Sequence, residues 1–400
     1  MSRIVIRGGR VFDGTGAEPA GGDVAIEDGR IVEVGSGLDG DEAVDATDRT
    51  ILPGMFDCHV HVMSIGPDPL EGITSPFSYQ FYAAGRNLLA TLRTGVTSVR
   101  DAGGADLGVK VALEEGLIPG PRMQISISML SQTGGHGDDW YPGGAVIPFG
   151  MPHPGRPDGI ADGPDEVRRK VRELARNGAD VIKIAASGGV MSPRSNPRLA
   201  HYRPEELAVI VEEATAADIP VMAHVQSAEG ILNAVKAGVR SVEHGIFLDD
   251  EGIELMRARG TWLVPTLVAP QGVIDAAADG VAIPPNVLEK AHAVIDSHRA
   301  GFRKAVESGV RIAMGTDSGV VTHGRNLREL ALMVEGGMTP AAALEATTRS
   351  AAQLLRVDDQ LGTIEAGKVA DLVIVSGDPY DFVSLGERVE EVWQSGARVL

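Results

Sequence analysis

The sequence predicts an α/β protein: a (β/α)8 barrel of the TIM type, carrying a small β-domain assembled from both chain ends. Three observations carry that prediction. From about Pro53 to Leu361, eight short apolar runs alternate with amphipathic helical stretches. The two ends of the chain have a different, turn-punctuated texture. Glycine also stands before several of the runs, where a helix ends and a tight turn begins. At 400 residues and 43% hydrophobic, the chain can bury a core of this size.

In chain order, Ile4 to Gly37 reads as short strands broken by turns at Gly8-Gly9, Asp13-Gly14, Gly21-Gly22 and Asp28-Gly29. The eight runs follow as MFDCHVHV, TSVRDAGG, MQISISML, ADVIKIAAS, IPVMAHVQ, RSVEHGIF, TWLVPTL and RIAMGTDSG. Between them, Asp165 to Asn177 has Val167, Val171 and Leu174 at three-to-four spacing and is expected to be helical. Pro204 to Ala217 opens with Pro at a first-turn position, followed by Glu205 and Glu206, and is expected to be a second helix. Gly95, Gly178, Gly238, Gly260 and Gly309 each precede a run. Eight βα units in one core argue for a closed barrel, whose chemistry gathers where strands end and loops begin. The segment from Gly134 to Gly163, rich in Gly, Pro and Asp, is long enough to be a lid or binding loop. Near the end, ADLVIVSGD and VEEVWQSGARVL resume the strand texture. The expected division is residues 1–52 plus 362–400 as a small β-sandwich and residues 53–361 as the barrel.

Composition excludes several classes of partner. A net charge of −19 argues against nucleic acid and anionic membranes. No window approaches about 20 uninterrupted apolar residues, and MSRIVIRGGRVFDG lacks the apolar core of a signal peptide, so a soluble, cytoplasmic protein is expected. The single cysteine, Cys58, excludes an intrachain disulfide and agrees with a reducing compartment. A small-molecule substrate and a homo-oligomeric state are the remaining expectations.

The stretch from Ile51 to His61, ILPGMFDCHVH, is the most informative. On a strand, the spacing of His59 and His61 points both imidazoles to one side, and two imidazoles at one strand end make half a metal site. Asp57 shares their parity; Cys58 has the opposite one and reads as a small packed side chain. Near the ends of later runs stand Lys183 on the fourth, His224 on the fifth, His244 on the sixth and Asp317 on the eighth. Each has an ordinary explanation alone, as a solvated strand end, a hydrogen-bonded core histidine or a turn aspartate. In a closed barrel, however, all six would converge on one mouth.

These motifs resemble the amidohydrolase superfamily, in the binuclear-metal branch of prolidase-like and imidazolonepropionase-like enzymes. The likeness runs through FDCHVH, IKIAASGGVMSP, MAHVQS, SVEHG, MGTDS and HGRNLREL to the closing LGTIEAGKVADLVIV, which resembles that family's return to its β-sandwich. The resemblance implies that His59, His61 and Asp317 bind one divalent ion, with zinc expected, and that His224 and His244 bind a second. It implies that Lys183 bridges them as a carbamate. An ordinary lysine is a cation and cannot ligate, whereas its carbamate is an anionic oxygen donor. Two ions about 3.5 to 4 Å apart would polarise a carbonyl and hold a hydroxide between them. Asp317 would carry the proton to the leaving amine.

The expected reaction is therefore hydrolysis of an amide, in a dipeptide (Xaa-Pro or similar) or an N-acyl amino acid. A xenobiotic amide, carbamate, urea or phosphotriester is the alternative, and a catalytically silent scaffold the remote one. Deaminase-like relatives carry glutamate three residues after the fifth-strand histidine; this chain has Ser227 there, and Glu229 two residues on. Candidate substrate contacts are His136 on the Gly-rich loop TGGHGD, Arg194 beyond Lys183, Gln226 and His323. Arg198, His201 and Arg203 accompany Arg194 in the same loop. Gln226 stands where prolidase-like relatives often have an oxyanion-stabilising tyrosine, which puts proline-dipeptide specificity in doubt. Asp57 is expected to orient an imidazole.

Overall fold

The computed structural model describes residues 2–66, 71–141, 143–148, 150–192 and 194–400. Pro142 and Phe149 of the long loop, and Pro193 beyond Lys183, lie outside the described residues. All eight apolar runs form strands: β1 (Met55–Val60), β2 (Val96–Asp101), β3 (Arg122–Ile125), β4 (Ile182–Ala185), β5 (Val221–Val225), β6 (Ser241–His244), β7 (Trp262–Val264) and β8 (Arg311–Ile312). A short continuation of the third run, Met129–Leu130, pairs with β4.

Neighbouring strands pair in parallel in two arcs, β1–β2–β3 and Met129–Leu130 through β4 to β8. Two seams close the ring. At one, Asp180 N donates to Ile125 O at 2.8 Å. At the other, residues just past β8 zip onto β1: Cys58 N donates to Met314 O (2.9 Å), Asp317 N to His59 O (2.7 Å) and His61 N to Ser318 O (2.6 Å). That second seam lays Asp317 beside the His59–His61 pair.

Strands β1 and β2 are buried at every residue, as expected of a parallel sheet covered on both faces. Helices supply the outer cover. The predicted helices appear as Gly163–Arg176, burying Val167, Val171 and Leu174, and Pro204–Ala216. Ala228–Ala237 is capped by Ser227 Oγ, which accepts from Gly230 N at 3.1 Å, and ends at Gly238 with φ +103°. That left-handed stop costs glycine nothing and frees the chain to enter β6.

The chain ends form one continuous eight-stranded sheet. Arg49–Pro53 pairs antiparallel with Leu372–Ser376, and Ile6, Val24, Ile26, Ile51, Leu372, Ile374 and Trp393 share its core. Only Gly54 separates that sheet from β1. A Cβ there would lie 2.1 Å from Thr97 Oγ1, so the absence of a side chain lets the strand pass directly into the barrel. The sheet thus anchors the strand that bears both histidines. The long loop carries a small hairpin of Asp138–Trp140 against Val146–Pro148.

Candidate metal centre at the barrel mouth

One cavity at the C-terminal ends of the strands is lined by His59, His61, Lys183, His224, His244 and Asp317. The alternation of β1 turns His59 and His61 inward with ring centroids 5.5 Å apart, while Cys58 packs outward against Trp262, Val264 and Ala351. Ligand atoms of His59, His244 and Asp317 lie within 4.8 Å of one another. His59 Nε2 is 3.5 Å from both Lys183 Nζ and Asp317 Oδ1, and His61 Nε2 is 3.2 Å from the same oxygen. The His224 ring centroid sits 4.6 Å from that of His244.

The second nitrogen of each imidazole is already engaged. Glu243 Oε2 takes His59 Nδ1–H at 2.9 Å, and Gly103 O takes His61 Nδ1–H at 2.8 Å. Thr266 Oγ1 holds His244 Nδ1 at 2.7 Å, and Gly188 O takes His224 Nε2–H at 3.2 Å. Three histidines are therefore left with Nε2 for the cavity and His224 with Nδ1, the tautomer control that ligating histidines need.

Electrostatics point the same way. Burial, reinforced by Lys183 at His59, by His136 at His224 and by His59 at His244, pushes these three imidazoles well below their ordinary range. They are neutral at pH 7, the form that ligates. Burial also lowers Lys183 to about 8, so its amine gains a reactive neutral fraction. At Asp317, burial works against the charge, but His59, His61 and Lys183 outweigh it and hold the carboxyl well below the carboxylate range. At His61, burial is likewise overcome by the hydrogen bond and charge of Asp317, so its pKa rises. The His61–Asp317 contact thus favours a positive charge between them, with Asp317 Oδ1 buried 3.2 and 3.5 Å from the Nε2 atoms of His61 and His59. The donor set fits divalent ions.

Two cavity-lining residues sit in left-handed backbone, His244 at φ +68° and Asp317 at φ +62°. Such conformations cost non-glycine residues on the order of 1 kcal/mol or more and concentrate at functional sites. At His244 the consequence is geometric. It breaks strand alternation, so Glu243 and His244, adjacent in sequence, both face inward.

A family model described as the amidohydrolase family matches residues 50–399. The chain belongs to the amidohydrolase family. Ochratoxinase of Aspergillus niger is 36% identical over 417 aligned residues, covering 98% of this chain and 85% of that protein. The crystal structure of A. niger ochratoxinase superposes with a TM-score of 0.86 at 33% identity, over 99% of this chain and 95% of that one. A Xaa-Pro dipeptidase with methionine bound in its active site superposes with a TM-score of 0.90 at 35% identity over 99% of each chain. This amidohydrolase is accordingly a hydrolase of C–N bonds.

The amidohydrolase brings His136 and Gln226 to the cavity, but not Arg194 or His323. His136 stacks on His224 with centroids 4.0 Å apart, and its Nδ1 meets Ser192 Oγ at 2.7 Å. Burial, with Lys290 and His201 nearby, lowers it to about 3. Arg194 is exposed and lies over the Trp140 ring at 5.3 Å, while Arg198 lies over Phe247 at 4.0 Å. Aromatic faces hold these guanidinium groups. His201 is buried, and Arg203 is the N-cap of the Pro204–Ala216 helix. His323 stands behind the site, its nitrogens 3.3 Å from Thr91 Oγ1 and 3.2 Å from His61 O.

The expectation for Asp57 also needs correction. Its carboxylate accepts from the backbone of His59 and Thr316 (3.1 Å each), from Thr316 Oγ1 (2.6 Å) and from Asn326 Nδ2 (2.7 Å). It ties β1 to the loop after β8, and among the described residues none of these hydrogen bonds comes from an imidazole ring. The residue that orients His59 is Glu243, gripped by Arg100 Nη2 at 2.9 and 3.0 Å. Arg100 in turn donates to Cys58 O at 2.7 Å. His298, from the Pro285–Glu307 helix, also lines the cavity and joins His244 O (3.0 Å) and Pro265 O (2.8 Å) through Nε2. The SVEHG motif held the Glu243 signal, but strict alternation hides it. Nothing local to His298 marks it.

Proposed function

We propose that this amidohydrolase cleaves the amide bond of a dipeptide or N-acyl amino acid at a two-metal centre. His59, His61 and Asp317 would hold one ion, His224 and His244 the other, with Lys183 bridging as a carbamate. The observation that carries this reading is the buried Asp317 Oδ1, 3.2 and 3.5 Å from the Nε2 atoms of His61 and His59, whose outer nitrogens are already bonded. When bound, the ions supply Lewis acidity toward the carbonyl and lower the pKa of water.

The chain's own residues would do the rest. Glu243, Gly103 O and Gly188 O fix the tautomers of His59, His61 and His224. Asp317, ionised at neutral pH, accepts the proton of the attacking water at Oδ1 and returns it to the leaving nitrogen as the C–N bond breaks. His136, on the cavity wall with Nδ1 engaged by Ser192, is placed to meet the substrate carbonyl oxygen.

One wall, formed by Val190, Met191, Ile246, Pro270, Val273 and Val320, is apolar and suits a hydrophobic acyl or side-chain group. Among the described residues lining the cavity there is no arginine. That supports a second reading, a neutral apolar amide, carbamate or urea, which needs no carboxylate clamp. The test is a screen of zinc-loaded protein against dipeptides, N-acyl amino acids, carbamates and ureas, with Lys183→Ala as control. Full activity in that variant would refute the two-metal mechanism.

A further inference from the structure

Gln226 lies two residues beyond His224, so it shares that residue's inward parity at the end of β5. Its backbone is pinned: N donates to Ser187 Oγ at 2.7 Å, and O accepts from Phe247 N at 2.8 Å. The side chain lines the cavity and is 4% exposed, yet its Oε1 is buried without a hydrogen-bond partner among the described residues. Buried carbonyl oxygens left without a donor are rare in folded proteins and call for an explanation. The apolar wall of Val190, Met191 and Ile246 has no side-chain donor to offer. A bound ligand would supply one.

We infer that Gln226 Oε1 accepts the N–H of the scissile amide, which makes this enzyme selective for substrates whose leaving nitrogen carries a hydrogen. The inference rests on the amide-hydrolase reading and narrows it. With a peptide or N-acyl amino acid bound, Gln226 holds the nitrogen side of the amide while His136 holds the oxygen side. An imino-acid or N-methyl leaving group has no hydrogen to donate, places a carbon against Oε1 and leaves that oxygen unpaired. A site built around a hydrogen bond discriminates against a ligand that lacks it.

The test compares kcat/KM of the zinc-loaded enzyme for leucyl-alanine and leucyl-N-methylalanine, in wild type and Gln226→Met. Methionine keeps the length and removes the amide, and taking the ratio in both proteins cancels the intrinsic reactivity of the two substrates. The ratio is expected to fall about tenfold or more in the variant, a change equivalent to about 1.4 kcal/mol. Zinc content and unfolding midpoint, measured on both proteins, identify any variant that has merely lost its fold; Gln226→Leu then replaces it. An equal ratio in folded wild type and variant overturns the Gln226 assignment alone. Cleavage of neither substrate by wild type overturns the dipeptide reading and this inference with it.

Discussion

Replacing Glu243 with Gln should damage the centre without touching a metal ligand. The Glu243 carboxylate takes Nδ1–H of His59 at 2.9 Å, both short contacts from Arg100 Nη2, and the Ser241 hydroxyl. The side chains of Arg100 and Glu243 are 3% and 0% exposed, so solvent screens the pair little. Glutamine keeps an oxygen for His59 but no charge for Arg100. Leaving a buried guanidinium uncompensated costs about 3–5 kcal/mol. A weakened acceptor behind a ligating imidazole costs about 10–100-fold in metal affinity, and retention of one oxygen sets the expectation near the lower end, about tenfold. Two measurements separate the effects: denaturant unfolding of the metal-free protein reads the Arg100 cost, and zinc titration against a competing chelator reads the His59 cost. Ser241→Ala, which removes the hydrogen bond donated to Glu243 and the one accepted from Arg100 Nη1, should cost about 2 kcal/mol. Wild-type stability and zinc affinity in Glu243→Gln would refute the assignment of Glu243 as the residue that orients His59.

Further outcomes follow from the same geometry. A Cβ at Gly189 would lie 2.3 Å from His136 Cε1 and 2.6 and 2.8 Å from its nitrogens. Gly189→Ala should therefore swing His136 away and lower kcat/KM at least about tenfold with zinc content intact; full activity would show that His136 plays no part. With Lys183 near 8 instead of 10.5, roughly one amine in ten is neutral at pH 7. Reactivation of stripped enzyme by zinc should accordingly require dissolved carbon dioxide and quicken as pH rises from 7 toward 8, and reactivation indifferent to carbon dioxide would exclude the carbamate. Asp317→Asn should lower kcat by about 10²–10⁴ in samples matched for zinc content, and a smaller loss would remove Asp317 as proton carrier. Cys58 is 0% exposed and its thiol is pushed up by burial, so alkylating reagents should label it only after unfolding. Labelling of the native protein would contradict its place in the helix layer.

What the sequence alone determined is what local periodicity can encode. Eight apolar runs bounded by turn residues specify eight buried strands, and residues at strand ends must meet once those strands close. Alternation along β1 was enough to pair His59 with His61 and to turn Cys58 away from them. The same arithmetic extended to His224 and His244, near or at the ends of β5 and β6, and to Asp317 in the loop after β8, while Lys183 is the second residue of β4 and lines the cavity from there. Tertiary structure decided whatever depends on a bond between distant segments or on a departure from alternation. Glu243 could not be counted as inward beside His244 until the left-handed φ of His244 was seen. Asp57 has the inward parity but is claimed by Thr316 and Asn326, 259 and 269 residues away. Arg194 and His323 left the site because loop side chains follow their packing partners, here Trp140, Thr91 and the His61 carbonyl, and those contacts exist only in the folded chain.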